Sequence, residues 1–180
     1  MKINNTNIKG CHEIYPLDLK DHRGRFVKPY HRDSFEEAGL GFDIGEEYYS
    51  ISKKNVLRGL HFQVPPKATI KVVTCLSGAI FDVVVDLRVD SPSYLKHFGV
   101  ELTEEKGNLL YIPEGLAHGF CTLSDEAMVL YMCSEVYSPE HDTGLRWDSA
   151  GIPWPVTEPV VSDKDNGLLP LDQFDSPFRY

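Results

Sequence analysis

Apolar positions concentrate most clearly in the middle of the chain. Ile70 to Leu76 is β-branched and apolar, and Ala79 to Leu87 repeats that character after the turn pair Ser77-Gly78, so the two runs predict a β-hairpin. Further strand-like runs follow at Tyr94 to Leu102, Asn108 to Ile112 and Ala127 to Tyr137. Turn-forming clusters (DSPS, EEKG, PEG and LSDE) separate them. Short strands at this spacing predict an all-β barrel or sandwich. Helix is scarce. The best candidate is Ser34-Phe35-Glu36-Glu37, a capping-box pattern closed by Gly39 and worth about two turns. From Ser149 the composition shifts to AGIPWPVTEP and then SDKDNGLLP, where Pro153, Pro155 and Pro159 rule out regular structure. One domain, residues 1–180, is therefore expected: a barrel core over about 10–148 and an irregular C-terminal arm over about 149–180 packed on it.

Composition sharpens this picture. Hydrophobic residues make up 42% and charged residues 25%, the balance of a folded globular domain. Against 18 basic residues stand 27 acidic ones, a formal charge of -9 whose field repels polyanions. Nucleic acid is not an expected partner, although a local basic pocket for one phosphorylated metabolite is compatible with that field. The opening MKINNTNIKG has no apolar signal region, and no apolar run approaches the ~20 residues that span a bilayer. The expectation is a cytoplasmic protein with no membrane partner. Cys11, Cys75, Cys121 and Cys133 show no CxxC pair and read as reduced, buried thiols.

The densest polar signal is Arg58-Gly59-Leu60-His61-Phe62-Gln63, followed by Lys71 in Ile70-Lys71-Val72-Val73. A lysine flanked by apolar strand residues points either to solvent or into a barrel lumen, where it needs a compensating partner. A second patch, Ile112-Pro113 to Phe120, delivers His118 at the start of an apolar stretch, and Tyr131 and Tyr137 sit in the last long strand. Two histidines after glycine-rich turns in a β-rich chain raise the possibility of a metal-binding cupin. Such a site wants three or four converging ligands, commonly an HxH pair and a downstream glutamate. Here Gln63 stands where the second histidine belongs, no Glu lies near Lys67, and Lys71 brings positive charge, so no metal is expected.

Together these segments resemble the dTDP-4-dehydrorhamnose 3,5-epimerase family. The match runs in order from Gly10 to Asp165 through DHRGRF, RGLHFQ, VVVDLR with Ser91-Pro92, IPEGLAHGF, Tyr131, Tyr137, GIPWP and SDKD. The resemblance implies a cupin-type jelly-roll barrel, a homodimer, no cofactor and a nucleotide-linked 4-keto-6-deoxy sugar as substrate. It also implies a place in deoxysugar biosynthesis, lipopolysaccharide O-antigen included. A carbon beside the C4 ketone loses its proton to a base on one face, and a proton from the opposite face inverts it. His61 matches the family's base, and imidazole suits the task with a reference pKa of ~6.5. Asp165 matches the carboxylate that orients that base, Lys71 the cation at the enolate oxygen, and Tyr131 the acid on the far face. Arg23 and Arg58 match diphosphate-holding residues. His118 matches a sugar-pocket position and Tyr137 a ring packed on sugar or base, and Phe26 and Lys164 also fall on substrate-binding positions.

Departures from the family pattern bear on specificity. A family stretch QxNxSxS becomes Glu46-Glu47-Tyr48-Tyr49-Ser50-Ile51-Ser52, so Glu46 replaces an amide and Tyr48 another. The family's RGxFxE ends in Lys28. A carboxylate accepts from thymine N3–H, whereas lysine only donates and suits cytosine N3 and O2, so Lys28 either marks a carrier other than the family's dTDP, with CDP the one to test, or simply faces solvent. No motif chooses between C3, C5 or both. Two other readings are a 3,4-ketoisomerase-like cupin isomerase and a non-catalytic nucleotide-sugar-binding cupin.

Overall fold

Strand alternation decides which face each side chain takes, and here it builds two sheets with a shared interior. The computed structural model describes all 180 residues, Met1 to Tyr180. The chain opens with β1 (Lys2–Asn5), β2 (His12–Tyr15), β3 (Leu17–Asp21), β4 (Gly24–Lys28), the helix α1 (Arg32–Glu37), β5 (Glu46–Lys53) and β6 (Leu57–Gln63). It continues through β7 (Lys71–Ser77), β8 (Ala79–Asp86), β9 (His97–Thr103), β10 (Leu109–Ile112), β11 (Leu116–Thr122), β12 (Glu126–Cys133) and β13 (Asp142–Gly144), then α2 (Asp163–Asn166). One sheet has the order β1-β2-β10-β7-β12-β5 and the other β13-β6-β11-β8-β9, while β3 and β4 form a separate two-stranded ribbon.

Alternate residues of both sheets meet in the middle. Val73 and Cys75 of β7, Val129 and Tyr131 of β12, Ile80 and Val84 of β8 and Phe120 of β11 share one buried cluster. Their neighbours in sequence face outward into two further clusters. Val72, Leu109 and Met132 pack under Phe35 of α1. Leu60, Val85 and Ala117 pack under the arm, with Phe178 and the half-buried Ile152, Trp154 and Phe174. Strands buried on both faces read as continuous apolar runs, which is why β7, β8 and β12 are the clearest in the sequence.

Four expectations change. The Ser77-Gly78 turn does not close a hairpin: β7 pairs with β10 and β12, and β8 pairs with β11 and β9. Gly78, at φ +79°, turns the chain from one sheet to the other, and each strand finds both partners in its own sheet. Ser34 does not cap α1. His31 does, its Nδ1 accepting the Ser34 N–H at 3.4 Å, while Gly39 at φ +72° ends the turn as predicted. The last long strand stops at Cys133, not Tyr137. The arm is not wholly irregular, because no proline falls between Pro159 and Pro170, and Ser162 Oγ accepts the Asp165 N–H at 3.1 Å to start α2. The arm is tied back by parallel bridges Val56–Val160, Leu145–Leu169 and Val89–Arg179.

Candidate active site

The two glycines of the RGLH and AHGF segments set the geometry. Gly59, at φ +135°, and Gly119 lie so close that a Cβ on Gly59 would stand 2.6 Å from Gly119 Cα. Only glycine allows β6 and β11 this approach, and beyond it the register places His61 opposite His118. On the facing sheet Lys71 of β7 pairs with Cys133, and Tyr131 of β12 pairs with Tyr48 of β5. The side chains converge on a cavity of about 280 Å³. Arg58, His61, His118, Phe120 and Asp142 come from one sheet, Tyr48, Ser50, Lys71 and Tyr131 from the other, and Tyr137 from the loop beyond β12.

His61 Nε2 lies 2.7 Å from Asp165 Oδ1, and the other oxygen of Asp165 accepts the Gly59 N–H at 3.1 Å. Burial alone would raise the Asp165 carboxyl, but the bonds from His61, Gly59 and Ser162 hold it below the usual range. A neutral imidazole donating through Nε2 carries its lone pair on Nδ1, which makes no bond within the protein and can act as a base. Burial pushes the Lys71 ammonium down, partly offset by Cys133, Asp142, Asp82 and Glu46, and Lys71 has no ion-pair partner. Burial likewise pushes the Tyr131 phenol well up, so it stays protonated and able to donate. His118 Nε2 reaches Asp82 Oδ2 at 2.8 Å in the barrel centre. Burial raises the Asp82 carboxyl against the pull of His118 and Lys71, and its Oδ1 is left without a partner. Ser50 Oγ is buried and unpartnered too. No group of three His, Cys, Asp or Glu side chains converges as metal ligands would.

Of the residues picked out by sequence, His61, Lys71, Tyr131, Arg58, His118, Tyr48 and Tyr137 line the cavity, and Asp165 stands behind His61. Arg58 spends only Nε on the protein, at 2.9 Å from Ser52 Oγ, so the end of its guanidinium is free. Lys164 bonds Asp142 Oδ2 at 2.6 Å at the cavity wall. Glu46 does not reach in; its carboxylate accepts the Tyr137 N–H at 3.0 Å and fixes that loop. Arg23, Phe26 and Lys28 lie elsewhere, on the β3–β4 ribbon, where Arg23 pairs with Asp21 at 2.6 Å and Phe26 is exposed. Gln63 ties down the loop after β12, accepting the Ser138 N–H at 2.6 Å and donating to Lys67 O at 2.9 Å. The VDLR and SPS segments serve the fold: Asp86, fully buried, accepts from Arg88, Ser91 and Ser93. Ser50, Asp82, Phe120 and Asp142 were not anticipated. Asp82 had a signal, since alternation from Ile80 and Val84 turns it into the core.

This is a jelly-roll barrel of the cupin type, with histidine, lysine and tyrosine side chains from both sheets meeting in its lumen, a site equipped for acid–base chemistry. The model of the dTDP-4-dehydrorhamnose 3,5-epimerase family matches residues 5–173, and the chain belongs to that family. It is 43% identical over 176 residues to the dTDP-4-dehydrorhamnose 3,5-epimerase of Shigella flexneri, covering 96% of this chain and 97% of that one. It is 40% identical over 174 residues to a dTDP-4-dehydrorhamnose 3-epimerase of Streptomyces niveus, covering 95% and 84%. Among solved structures, the dTDP-6-deoxy-D-glucose-3,5-epimerase of Legionella pneumophila in complex with dTDP-4-keto-L-rhamnose superposes with a TM-score of 0.94. That pair shares 35% identity over 99% of this chain and 98% of the other. No helix is long and apolar enough to cross a membrane.

Proposed function

We propose that this protein inverts C3, C5 or both of a nucleotide-linked 4-keto-6-deoxy sugar, of the dTDP-4-dehydro-6-deoxyglucose type, by proton transfer through an enolate. The observation that carries the reading is the facing of His61 and Tyr131 across the lumen, one from each sheet, with Lys71 between the same walls. His61, oriented by Asp165, takes the proton on one face of the ring. Lys71 stabilises the oxygen that gains charge, and Tyr131 returns a proton from the other face. Arg58 offers its free guanidinium to the diphosphate and His118 contacts the sugar, with Tyr137 and Lys164 at the rim. The cavity of about 280 Å³ is at the small end of ligand pockets, which run from ~300 Å³ upward, so it suits the sugar with the carrier outside.

The carrier and assembly follow from the ribbon. Arg23, Phe26 and Lys28 stand outside their own chain's cavity beside exposed Leu17 and Leu19, and the outer sheet face exposes Tyr49, Ile51 and Leu76. A cytoplasmic homodimer that covers these surfaces and lends the ribbon to the second copy's pocket gives all three residues a role. Sedimentation as a monomer at micromolar concentration would remove that assembly. Relatives' names favour dTDP. The donor Lys28 favours CDP as the second reading, and titration with both nucleotides ranks them. Each chain then folds as one domain and contributes one pocket, completed by the second copy's ribbon, to deoxysugar biosynthesis, O-antigen supply being one destination.

The test is deuterium uptake from D2O into 4-keto-6-deoxyglucose carried on dTDP or CDP, read by NMR. Exchange with inversion at C3, C5 or both is expected. Binding without exchange on either carrier would instead leave a sugar-binding cupin, and a keto group moved to C3 would mark a ketoisomerase.

A further inference from the structure

The proton donor has an unusual neighbour. Tyr48 and Tyr131 are directly opposed on β5 and β12, and their rings stack with centroids 4.7 Å apart and planes 16° from parallel. His118 approaches the Tyr131 ring edge-on, at 6.1 Å and 75°. Tyr131 is thus boxed between two aromatic rings and is only 6% exposed, whereas Tyr48, on the edge strand of its sheet, is 43% exposed. Polar neighbours are few: Ser50 stands by the Tyr131 phenol and Cys133 by that of Tyr48. The two rings are what hold the plane of the Tyr131 ring.

We propose that Tyr48 is a positioning residue for the acid: its ring covers Tyr131 from solvent and holds the phenol aimed across the lumen at His61. The inference rests on the proton-transfer reading above and deepens it. Once His61 has taken a proton, the enolate has two fates. It can regain a proton from His61 on the same face, which exchanges the hydrogen without inversion, or it can take the Tyr131 proton on the opposite face, breaking the O–H bond as the C–H bond forms and leaving a phenolate that water reprotonates. The aim of Tyr131 sets the ratio between these fates. A stacked ring cover is also what keeps water from supplying the second proton unselectively.

The partition can be read directly. With substrate in D2O, NMR measures deuterium in recovered substrate against inverted product. Tyr48→Ala is expected to raise the exchange-to-inversion ratio about tenfold, short of the ~10²- to 10⁴-fold loss that follows removal of an acid itself. Tyr48→Phe keeps the ring and is expected to stay within about twofold of the parent. A general loss of folded enzyme lowers both fates together and leaves the ratio unmoved, so an unchanged ratio in Tyr48→Ala overturns the proposal. So does an equal shift in Tyr48→Phe, which would transfer the effect to the hydroxyl. A second measurement needs no turnover: nitration by tetranitromethane, located by peptide mass. Tyr131 is expected to be protected in the parent and in Tyr48→Phe and modified in Tyr48→Ala. Nitration of parental Tyr131 at the rate of the exposed Tyr137 would overturn the cover. Failure of the parent to exchange on any carrier would instead count against the epimerase reading, while the nitration pattern still decides the shielding.

Discussion

His61 and His118 stand opposite each other on adjacent strands, and each gives its Nε2 to a different carboxylate, Asp165 at 2.7 Å and Asp82 at 2.8 Å. The two pairs differ in access. His61 keeps 31% of its side chain open and His118 only 4%. A base must meet its substrate, so under the proposed mechanism the more open His61 takes the proton and His118 serves as a fixed wall. His61→Ala is expected to abolish deuterium exchange while nucleotide affinity, measured by calorimetry, changes less than about threefold.

Asp165→Asn tests the orientation of that base. An amide nitrogen turned toward His61 donates where the carboxylate accepts, which favours the wrong imidazole tautomer. A fall in kcat of about 10²-fold or more with little change in KM is expected from initial rates.

Burial lowers the Lys71 ammonium, so its charge is lost at a lower pH than that of a free lysine, near 10.4. The groups facing it are Cys133 on β12, Asp142 on β13, Asp82 on β8 and Glu46 on β5, none at ion-pair distance. Activity should therefore decline on the alkaline side before pH ~10.4. Lys71→Arg, always charged, should be slower and lack that limb in a kcat/KM profile.

Gly59→Ala places a side chain at φ +135° against Gly119. A loss on the order of 3 kcal/mol is expected from urea unfolding, because strain and collision add. Surviving activity should be reduced, since the same approach aligns His61.

Asp86 concerns stability alone. Burial would raise its carboxyl, but the bonds from Arg88, Ser91 and Ser93 hold it below the usual value. A depressed folded value stabilises the protein above the unfolded pKa of ~3.9 and loses that contribution as pH falls through the folded value. Melting temperatures of Asp86→Asn between pH 2 and 6 should be lower at pH 6 and fall less steeply toward acid than those of the parent.

The barrel was legible where strands are buried on both faces, as in β7, β8 and β12, because burial there leaves unbroken apolar runs. Pairing was not. A turn such as Ser77-Gly78 states that the chain bends, and only the whole set of strands decides whether it bends back or crosses to another sheet. The strands β1, β3, β4 and β5 carry exposed residues along their length and lack a comparable signal. His61, Lys71, Tyr131 and Asp165 were legible through motifs, although 104 residues separate His61 from Asp165. Asp142 and Ser50 were not, since an isolated polar residue in a strand reads as solvent-facing until the opposing wall is known.

Asp165 arrives on the arm, after every barrel strand. A nascent chain whose strands have all emerged from the ribosome carries His61 without its orienting carboxylate. The His61–Asp165 pair is therefore completed late in synthesis, when the arm docks along Val56 and Leu145. A chain clipped before Ser162 is thus a form of this protein in which His61 stands untethered, whatever becomes of the strands around it.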